Sequence, residues 1–119
     1  MKTILVAEDE AFLRETIQLG LEAHDVHVMV VSNGEDAIEC IRSSSPDLLL
    51  LDLLMPKKDG YSVLAYLHEQ NSPLPVIILS NISDEVDQKK CMALGARNFL
   101  IKSDMDEDEL WPKIQPYLL

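Results

Sequence analysis

Five polar residues with the chemistry of phosphate and metal sites stand at, or directly after, the ends of short apolar runs. They are Glu8, Asp9, Asp52, Ser80 and Lys102. Carboxylate oxygens are the ligands that suit a hard cation such as Mg²⁺. An ammonium and a hydroxyl group suit the anionic oxygens of a phosphoryl group. These residue types therefore point to phosphoryl transfer, provided that the fold brings them together.

The apolar runs that precede these residues are typical of buried β-strands. They occupy residues 3–7, 26–31, 48–51, 75–80 and 98–101. Helical patterns alternate with them, which predicts an α/β fold: a doubly wound, five-stranded parallel sheet with helices on both faces. The flavodoxin-like strand order 2-1-3-4-5 suits five parallel strands with one topological switch point, between the first and third strands. In such a sheet the carboxyl ends of the strands share one edge, so the five polar residues should converge.

Apolar residues at helical spacing mark the five predicted helices. In chain order the apolar markers are Phe12, Ile17, Leu19 and Leu21; Ala37, Ile38 and Ile41; Val63, Leu64 and Leu67; Val86, Cys91, Met92 and Leu94; and Leu110, Ile114 and Leu118. The polar Ser83 marks the start of the fourth helix. The last segment also contains Pro112 and Pro116. Because a proline inside a helix costs about 3 kcal/mol or more, this helix should be short or kinked.

Length and composition limit the kind of protein. The 119 residues suit one domain, predicted to span 1–119, and the 47% hydrophobic content is sufficient for its core. The net charge of -11 argues against direct binding to nucleic acid, whose phosphates repel an acidic surface. No signal peptide or bilayer-spanning run is found, and Cys40 and Cys91 lie in helical patterns outside any CxxC motif. These features predict a cytoplasmic location and reduced cysteines.

The predicted convergence supports a specific reaction. Three carboxylates at one sheet edge repel each other unless a cation joins them. Asp52 is the candidate nucleophile, because carboxylates form covalent acyl phosphates. Lys102 and Ser80 would bind the phosphoryl oxygens and offset charge in the transition state.

Each residue also has a structural interpretation without chemistry. Asp52 could cap a turn, and the run 8–10 could be favoured by the dipole at a helix N-terminus. Ser80 could be an N-cap, and Lys102 could be a solvated strand end. Their coincidence at successive strand ends favours the functional interpretation.

The ordered set of residues resembles the receiver domain of two-component response regulators over nearly the whole chain. The resemblance rests on Glu8-Asp9 as the acidic pair, Asp52 with Met55-Pro56 and Asp59-Gly60 as the phosphoacceptor and its loop, Ser80 as the hydroxyl switch, Lys102 as the lysine and Phe99 as the rotating aromatic residue. It implies phosphorylation of Asp52 by a phosphohistidine donor, either a sensor histidine kinase or a histidine phosphotransfer protein.

The resemblance also implies a metal site and an output surface. Mg²⁺ would be held by Glu8, Asp9, Asp52 and the backbone carbonyl of Leu54. Phosphorylation would change the surface formed by the fourth helix, fifth strand and fifth helix, which a downstream protein target would recognise. The chain would act as a signalling domain that catalyses its own phosphorylation and slow dephosphorylation, not as an enzyme with a separate substrate.

Several residues depart from the family pattern. Ser103 follows Lys102 where the family has proline, so the Lys102–Ser103 bond is predicted to be trans, with the following loop displaced. Asn81 is bulkier than the small residue usual after the switch hydroxyl and is expected to narrow access to Asp52. Phe99 has no hydroxyl to bond when it turns inward. Leu54 and Ile82 flank the expected path of a hydrolytic water, and their apolar side chains predict a long-lived phosphorylated state.

Two other functional classes compete with this interpretation. A degenerate receiver-like interaction module would bind partners without being phosphorylated, and Asn81 and Ser103 would mark its altered site. A small Mg²⁺-dependent phosphohydrolase is disfavoured, since no separate general acid or cap domain is found in the sequence. The sequence leaves open the cognate kinase, the target, the oligomeric state, and whether the chain is a stand-alone receiver or part of a longer protein.

Overall fold

The computed structural model describes residues 1–82, 84–104 and 106–119, and in them five strands form one parallel sheet. The strands are β1 (Thr3–Ala7), β2 (His27–Val31), β3 (Leu48–Leu51), β4 (Val76–Ser80) and β5 (Asn98–Ile101). Their order is β2-β1-β3-β4-β5, with every neighbouring pair parallel. The predicted α/β class and the strand order 2-1-3-4-5 are therefore confirmed. β2 and β4 begin one residue later than the apolar runs indicated.

Helices connect the strands and cover both faces of the sheet. They are α1 (Ala11–Glu22), α2 (Gly34–Ser44), α3 (Gly60–Glu69), α4 (Glu85–Ala93) and α5 (Glu107–Ile114), with 3-10 turns at Lys102–Asp104 and Gln115–Leu118. α1 and α5 pack on one face, whereas α2, α3 and α4 pack on the other. This arrangement is the doubly wound architecture.

The four leucines of β3 show why this strand lies at the centre. Leu48 and Leu50 belong to the core beside α1 and α5, and Leu49 and Leu51 belong to the core on the opposite face. All four are at most 1% exposed. Because successive side chains of a strand point to opposite faces, an unbroken apolar run is what a strand covered on both sides requires.

Side-chain caps begin two helices immediately after strand-to-helix loops. The Asn33 carboxamide accepts the Asp36 N–H at the start of α2, at 2.8 Å. The Asp59 carboxylate accepts the Ser62 N–H at the start of α3, at 2.9 Å. Each cap satisfies an amide that has no partner within its helix, so the position at which the helix begins is fixed by a single residue.

The last helix is short, as its prolines predicted. α5 has 8 residues with Pro112 inside it, and the chain continues as a 3-10 turn with Pro116 near its start. Leu110, Ile114 and Leu118 are buried, so the predicted apolar face is confirmed.

The predicted apolar faces of α1 and α4 were partly wrong. Phe12 and Leu19 in α1 are 75% and 71% exposed, and Val86 and Met92 in α4 are 73% and 46% exposed. With about 100° of rotation per residue, Phe12 lies about 140° from the buried Ile17, and Val86 lies about 140° from the buried Cys91. Ser83, predicted to mark the start of the fourth helix, lies outside the described residues.

The two cysteines are free thiols. Cys91 is buried, and Cys40 is half-buried with its Sγ 3.9 Å from the Met29 Sδ. Burial raises the pKa of the Cys91 thiol to about 11, so this thiol is protonated at neutral pH and behaves as a small apolar residue. Within the part of the chain that is described, every helix is too short or too polar to span a bilayer.

Candidate functional site

Asp52 lies one residue beyond β3, at the carboxyl edge of the sheet. Its N–H donates to the Ala7 carbonyl at 3.0 Å, so hydrogen bonding to β1 continues as far as the acidic residue. Gly60, the first residue of α3, donates its N–H to the Leu53 carbonyl at 2.9 Å. A Cβ at Gly60 would overlap the Asp52 carbonyl oxygen. The glycine therefore allows α3 to pack directly against the backbone of Asp52, which is 6% exposed.

Glu8 and Asp9 follow β1, which is the neighbour of β3. The Glu8 N–H donates to the Val31 carbonyl at 3.0 Å, and the Glu8 carboxylate accepts the Glu10 N–H at 3.1 Å. Glu8 is 2% exposed, whereas Asp9 is exposed. The sheet thus holds one acid of the pair inside the protein and the other at the surface.

The carboxylates of Glu8, Asp9 and Asp52 lie close together. One oxygen of each lies within 4.8 Å of the other two. The structure therefore brings together three of the residues expected from the strand ends, although Asp52 is more than 40 positions away from Glu8 and Asp9 in sequence.

Lys102 joins the same cluster from the end of β5. Its Nζ lies 2.5 Å from Glu8 Oε1 and 3.0 Å from Asp52 Oδ2. Both partners and the lysine head are largely shielded, since the side chains are 14%, 3% and 8% exposed for Lys102, Glu8 and Asp52. The alternative interpretation of Lys102 as a solvated residue at a strand end is therefore wrong, because its ammonium forms buried ion pairs.

The pKa values of the pair follow from burial and from this contact. Burial raises the pKa of Glu8, against the lowering effect of the hydrogen bond from Lys102, and the nearby Asp52 charge adds to the rise. Burial alone would lower the pKa of Lys102, but the hydrogen bonds to Glu8 and Asp52 outweigh it and raise the pKa. Lys102 is therefore a firmly held cation at neutral pH.

The donor set fits a small hard cation. Octahedral Mg²⁺ has oxygen ligands at about 2.1 Å, which places neighbouring ligand oxygens about 3 Å apart and opposite ones about 4 Å apart. The observed spacing of up to 4.8 Å needs a small contraction to reach these values. Glu8, Asp9 and Asp52 could therefore hold the metal, with the exposed Asp9 on the solvent side.

Ser80 is the last residue of β4, and Phe99 is the second residue of β5. Ser80 is 1% exposed, and its Oγ accepts the Ile82 N–H at 3.3 Å. Phe99 is half-buried against the core that contains α2, α3 and α4. Their predicted roles as switch residues stay predictions.

Leu54 and Ile82 lie in the loops that follow Asp52 and Ser80. The Leu54 N–H donates to Asp52 Oδ1 at 3.4 Å, and Leu54 is 64% exposed. Ile82 is half-buried. Both side chains are apolar and cannot hydrogen-bond a hydrolytic water. Slow decay of the phosphorylated state stays a prediction. The Leu54 carbonyl as a metal ligand stays a prediction.

The peptide bond after Lys102 is trans, which confirms that prediction, since the described residues contain no cis peptide. The displaced path of the loop stays a prediction. The Ser103 N–H, which a proline would lack, donates to the Asn81 carboxamide oxygen at 3.1 Å. Lys102 reaches Asp52 despite the missing proline.

Two contacts at the site were not found from the sequence. The Asn81–Ser103 bond joins two residues that had been considered only separately. Arg14, in the second turn of α1, donates from Nη1 to the carbonyl oxygens of Glu8 and Asp9, at 2.9 and 3.4 Å. The one feature of the sequence that could have predicted the Arg14 contact is the short separation of Arg14 from Glu8 and Asp9. This feature is weak, because many arginines lie as close to an acidic residue by chance.

Comparison with known proteins gives the family. The sequence model of the response regulator receiver domain family matches residues 4–115 of this chain. The probable transcriptional regulator ycf27 of Porphyridium aerugineum is 36% identical over 99 residues, which cover 83% of this chain and 41% of the relative. The chain spans about two fifths of the length of the curated relatives it matches.

Solved structures share the whole fold. The receiver domain of the Francisella response regulator 1452 has a TM-score of 0.92 at 28% identity, covering 99% of this chain and 97% of that one. The BeF3-activated N-terminal receiver domain of Klebsiella pneumoniae RstA has a TM-score of 0.91 at 27% identity, covering 98% of both chains. With the carboxylate cluster, the lysine and the 2-1-3-4-5 sheet in place, this chain belongs to the response regulator receiver domain family.

Proposed function

We propose that the chain is a phosphorylatable signalling switch in which Asp52 accepts a phosphoryl group from a phosphohistidine donor. The observation that carries the proposal is the position of Asp52. Its carboxylate lies at the sheet edge beside two other acids and 3.0 Å from the Lys102 ammonium. A buried acid that served as a turn cap would have no need of this lysine or of two further carboxylates.

The proposed step is a displacement at phosphorus. A carboxylate oxygen of Asp52 attacks the phosphorus atom, the P–O bond forms, and the P–N bond to the donor imidazole breaks. The donor imidazole, protonated on its other ring nitrogen, leaves with the bonding electron pair as a neutral base. Lys102 would offset charge on the phosphoryl oxygens in the transition state, and the Ser80 hydroxyl would donate to one of them.

We further propose that the reaction depends on Mg²⁺, held by Glu8, Asp9, Asp52 and the Leu54 carbonyl. When bound, the cation would neutralise oxygens of the incoming phosphoryl group. The fit of the three carboxylates supports this, because they otherwise leave a cluster of like charges at one edge of the sheet. Lys102 offsets one of these three charges.

The proposal extends to partners and output. A sensor histidine kinase or a histidine phosphotransfer protein would supply the phosphoryl group. Movement of the switch residues Ser80 and Phe99 would then alter the surface of α4, β5 and α5, which a downstream protein would recognise. We also propose that residues 1–119 form one receiver domain, that it is located in the cytoplasm, and that it does not itself bind nucleic acid, given its net charge of -11. The relative ycf27 is named a probable transcriptional regulator, so such an activity would belong to a further part of that longer protein.

The test is labelling by a small phosphodonor. Incubation with acetyl phosphate and Mg²⁺ should add about 80 Da to the protein, and Asp52→Asn should abolish the adduct without unfolding the chain. Asp25→Asn is the matched control, because Asp25 is exposed in the turn between α1 and β2 and its positive φ of 58° is one that asparagine also adopts.

The outcomes separate the competing functions. An Asp52→Asn variant that labels at the wild-type rate would rule out Asp52 as the acceptor. A wild-type protein that never labels, yet binds partners, would indicate the interaction module. Turnover of an added phosphoester, such as p-nitrophenyl phosphate, would indicate the phosphohydrolase.

A further inference from the structure

A side-chain hydrogen bond joins the two segments that directly follow Ser80 and Lys102. The Asn81 carboxamide oxygen accepts the Ser103 N–H at 3.1 Å. Asn81 directly follows Ser80 at the end of β4, and Ser103 directly follows Lys102 at the end of β5. The two strands are neighbours, with Ser80 paired to Ile101. The bond therefore crosses from one strand end to the next, immediately outside the site.

The Ser103 amide has no partner within its own turn. Lys102–Asp104 is a 3-10 turn, and the first amides of any helical turn lack intrahelical acceptors. The Asn81 oxygen takes the place of such an acceptor, as asparagine does at helix N-termini. It thus acts as a cap that is supplied by a different strand.

This cap fixes the backbone from which Lys102 extends. The Lys102 Nζ contacts Glu8 and Asp52 at the same time. A lysine side chain is flexible, so rotation about any of its four side-chain bonds can move Nζ away from these carboxylates. Holding the next peptide plane restricts the backbone of Lys102 and favours the conformation that points Nζ into the carboxylate cluster. In this chain the restriction comes from an amide hydrogen bond, since Ser103 keeps the N–H that a proline would remove.

We propose that Asn81 is a positioning residue for Lys102, acting through the Ser103 amide, and that it raises the rate of phosphoryl transfer to Asp52. This inference rests on the proposed phosphorylation of Asp52. It reverses the interpretation of Asn81 as an obstacle: the side chain contributes through its acceptor oxygen, and its bulk is secondary.

Substitutions at residue 81 separate the acceptor oxygen from bulk. Asn81→Leu keeps the size and removes the acceptor, whereas Asn81→Ala removes both. An exposed hydrogen bond contributes about 0.5–1 kcal/mol, so each variant should lower the maximal rate of labelling by acetyl phosphate about two- to fivefold. The concentration of acetyl phosphate at half-maximal rate should not change. Asn81→Asp keeps an acceptor oxygen, so its maximal rate should exceed that of Asn81→Leu, and it should stay below that of the wild type because the added charge repels the phosphodonor.

Removing the donor tests whether the effect passes through Ser103. Ser103→Pro has no amide proton, and proline is compatible with the first turn of a helix. In the Ser103→Pro background, Asn81→Leu should cause no further loss of rate. If Asn81 acts by obstruction instead, Asn81→Ala will speed labelling in both backgrounds, and this result would overturn the proposal.

An NMR measurement tests the bond independently of phosphorylation. Without phosphodonor, hydrogen exchange of the Ser103 amide should be about two- to fivefold faster in Asn81→Leu than in the wild type. Equal exchange in the two proteins would overturn the bond, and faster exchange with unchanged labelling would overturn the positioning role. If the Ser103 amide exchanges more slowly in the wild type than in Asn81→Leu but the wild type is never labelled, the bond is supported and the proposed phosphorylation of Asp52 is wrong.

Discussion

Lys102 dominates the electrostatics of the site at the residue level. Its ammonium contacts Glu8 and Asp52 together, and these contacts raise its pKa against the opposing effect of burial. Three ionised carboxylates and one ammonium leave the cluster with a charge of -2, that is -3 + 1. An incoming phosphoryl group adds further negative charge, so Lys102 alone does not balance the site. This excess of negative charge is the physical reason for proposing a divalent cation at the site.

The neighbours of Asp52 control how long a phosphorylated state would last. Hydrolysis of the acyl phosphate needs a water in line with the bond from phosphorus to Asp52, and positioning is a large part of catalysis in phosphoryl transfer. Leu54 and Ile82 cannot hydrogen-bond that water. We predict that phosphorylated protein decays slowly in Mg²⁺, over many minutes or longer, and that Leu54→Asn combined with Ile82→Glu shortens the half-life. Mass spectrometry measures the half-life as the loss of the phosphoryl adduct of about 80 Da with time.

The control for this experiment lies on α1. Leu19 is 71% exposed and Leu54 is 64% exposed, so Leu19→Asn makes the same chemical change at a similarly exposed position outside the site. It should leave the half-life unchanged. A wild-type half-life of seconds, or an unaltered half-life in the polar pair, would contradict the argument.

The polar residues of the site could be located from the sequence because strand ends converge. Once strand order is known, Glu8, Asp9, Asp52 and Lys102 must share one sheet edge, whatever their separation in sequence. The Asn81–Ser103 and Arg14 contacts could not be located in this way, since they depend on side-chain rotamers and loop paths. The spacing of residues along the chain does not encode either.

The contact between α3 and the end of β3 controls the site at the level of elements. Gly60 begins α3, and a Cβ there would overlap backbone atoms of Asp52 and Leu53. Backbone atoms cannot move aside as a flexible side chain can. We predict that Gly60→Ala lowers the free energy of unfolding by about 1–3 kcal/mol, as overpacking of a core does, and slows labelling of Asp52. Urea denaturation and labelling by acetyl phosphate give the two measurements.

Gly20 provides the matched control within α1. A Cβ at Gly20 would meet no atom within 4 Å, and residue 20 lies inside a helix. Gly20→Ala should therefore raise the free energy of unfolding by about 0.5–1 kcal/mol through helix propensity. If both glycine variants shift stability in the same direction, the close packing of α3 on Asp52 does not determine the outcome.

α4 buries one apolar side chain and makes two polar contacts with Tyr61 of α3. Of its residues, all described, Cys91 is the one that is buried. The Tyr61 hydroxyl of α3 donates to the Asp87 carboxylate at 2.9 Å, and the Lys90 Nζ lies 4.4 Å from the centre of the Tyr61 ring. Burial and the bond to Asp87 raise the pKa of Tyr61, which keeps its hydroxyl protonated as a donor. Such a helix can shift at a lower free-energy cost than one with a broad apolar face.

Element positions were predictable where burial is symmetrical and less so where it is one-sided. The leucine run indicated β3 because both faces of that strand are covered. On α1 and α4, apolar residues also occupy the solvent face, so their spacing did not reveal which side is buried. The contacts that decide the buried side lie between distant parts of the chain.

The acidity of the whole molecule couples its stability to pH and to cations. Burial raises the pKa of Glu8 above the ordinary value of 4.5, so the folded state binds this proton more tightly than the unfolded chain does. The resulting stabilisation is fully present below the unfolded pKa and is lost as pH rises through the folded pKa. Once ionised, Glu8 therefore opposes folding even with Lys102 beside it, and a bound cation would offset this cost.

The last prediction follows from that balance. At tenfold above its dissociation constant, Mg²⁺ should raise the free energy of unfolding by about 1.4 kcal/mol, because it binds the folded carboxylate cluster and not the unfolded chain. Protons compete with the cation for Glu8, so the response should weaken as pH falls through the raised pKa of this carboxyl group. Asp9→Asn should remove the response and stabilise the metal-free protein, since it relieves repulsion within the cluster. Glu22→Gln, an equal charge change at the opposite end of α1, should leave the response intact. Urea denaturation in MgCl₂ and in EDTA gives the measurement, and coincident curves for the wild type at millimolar Mg²⁺ would refute a metal site at these carboxylates.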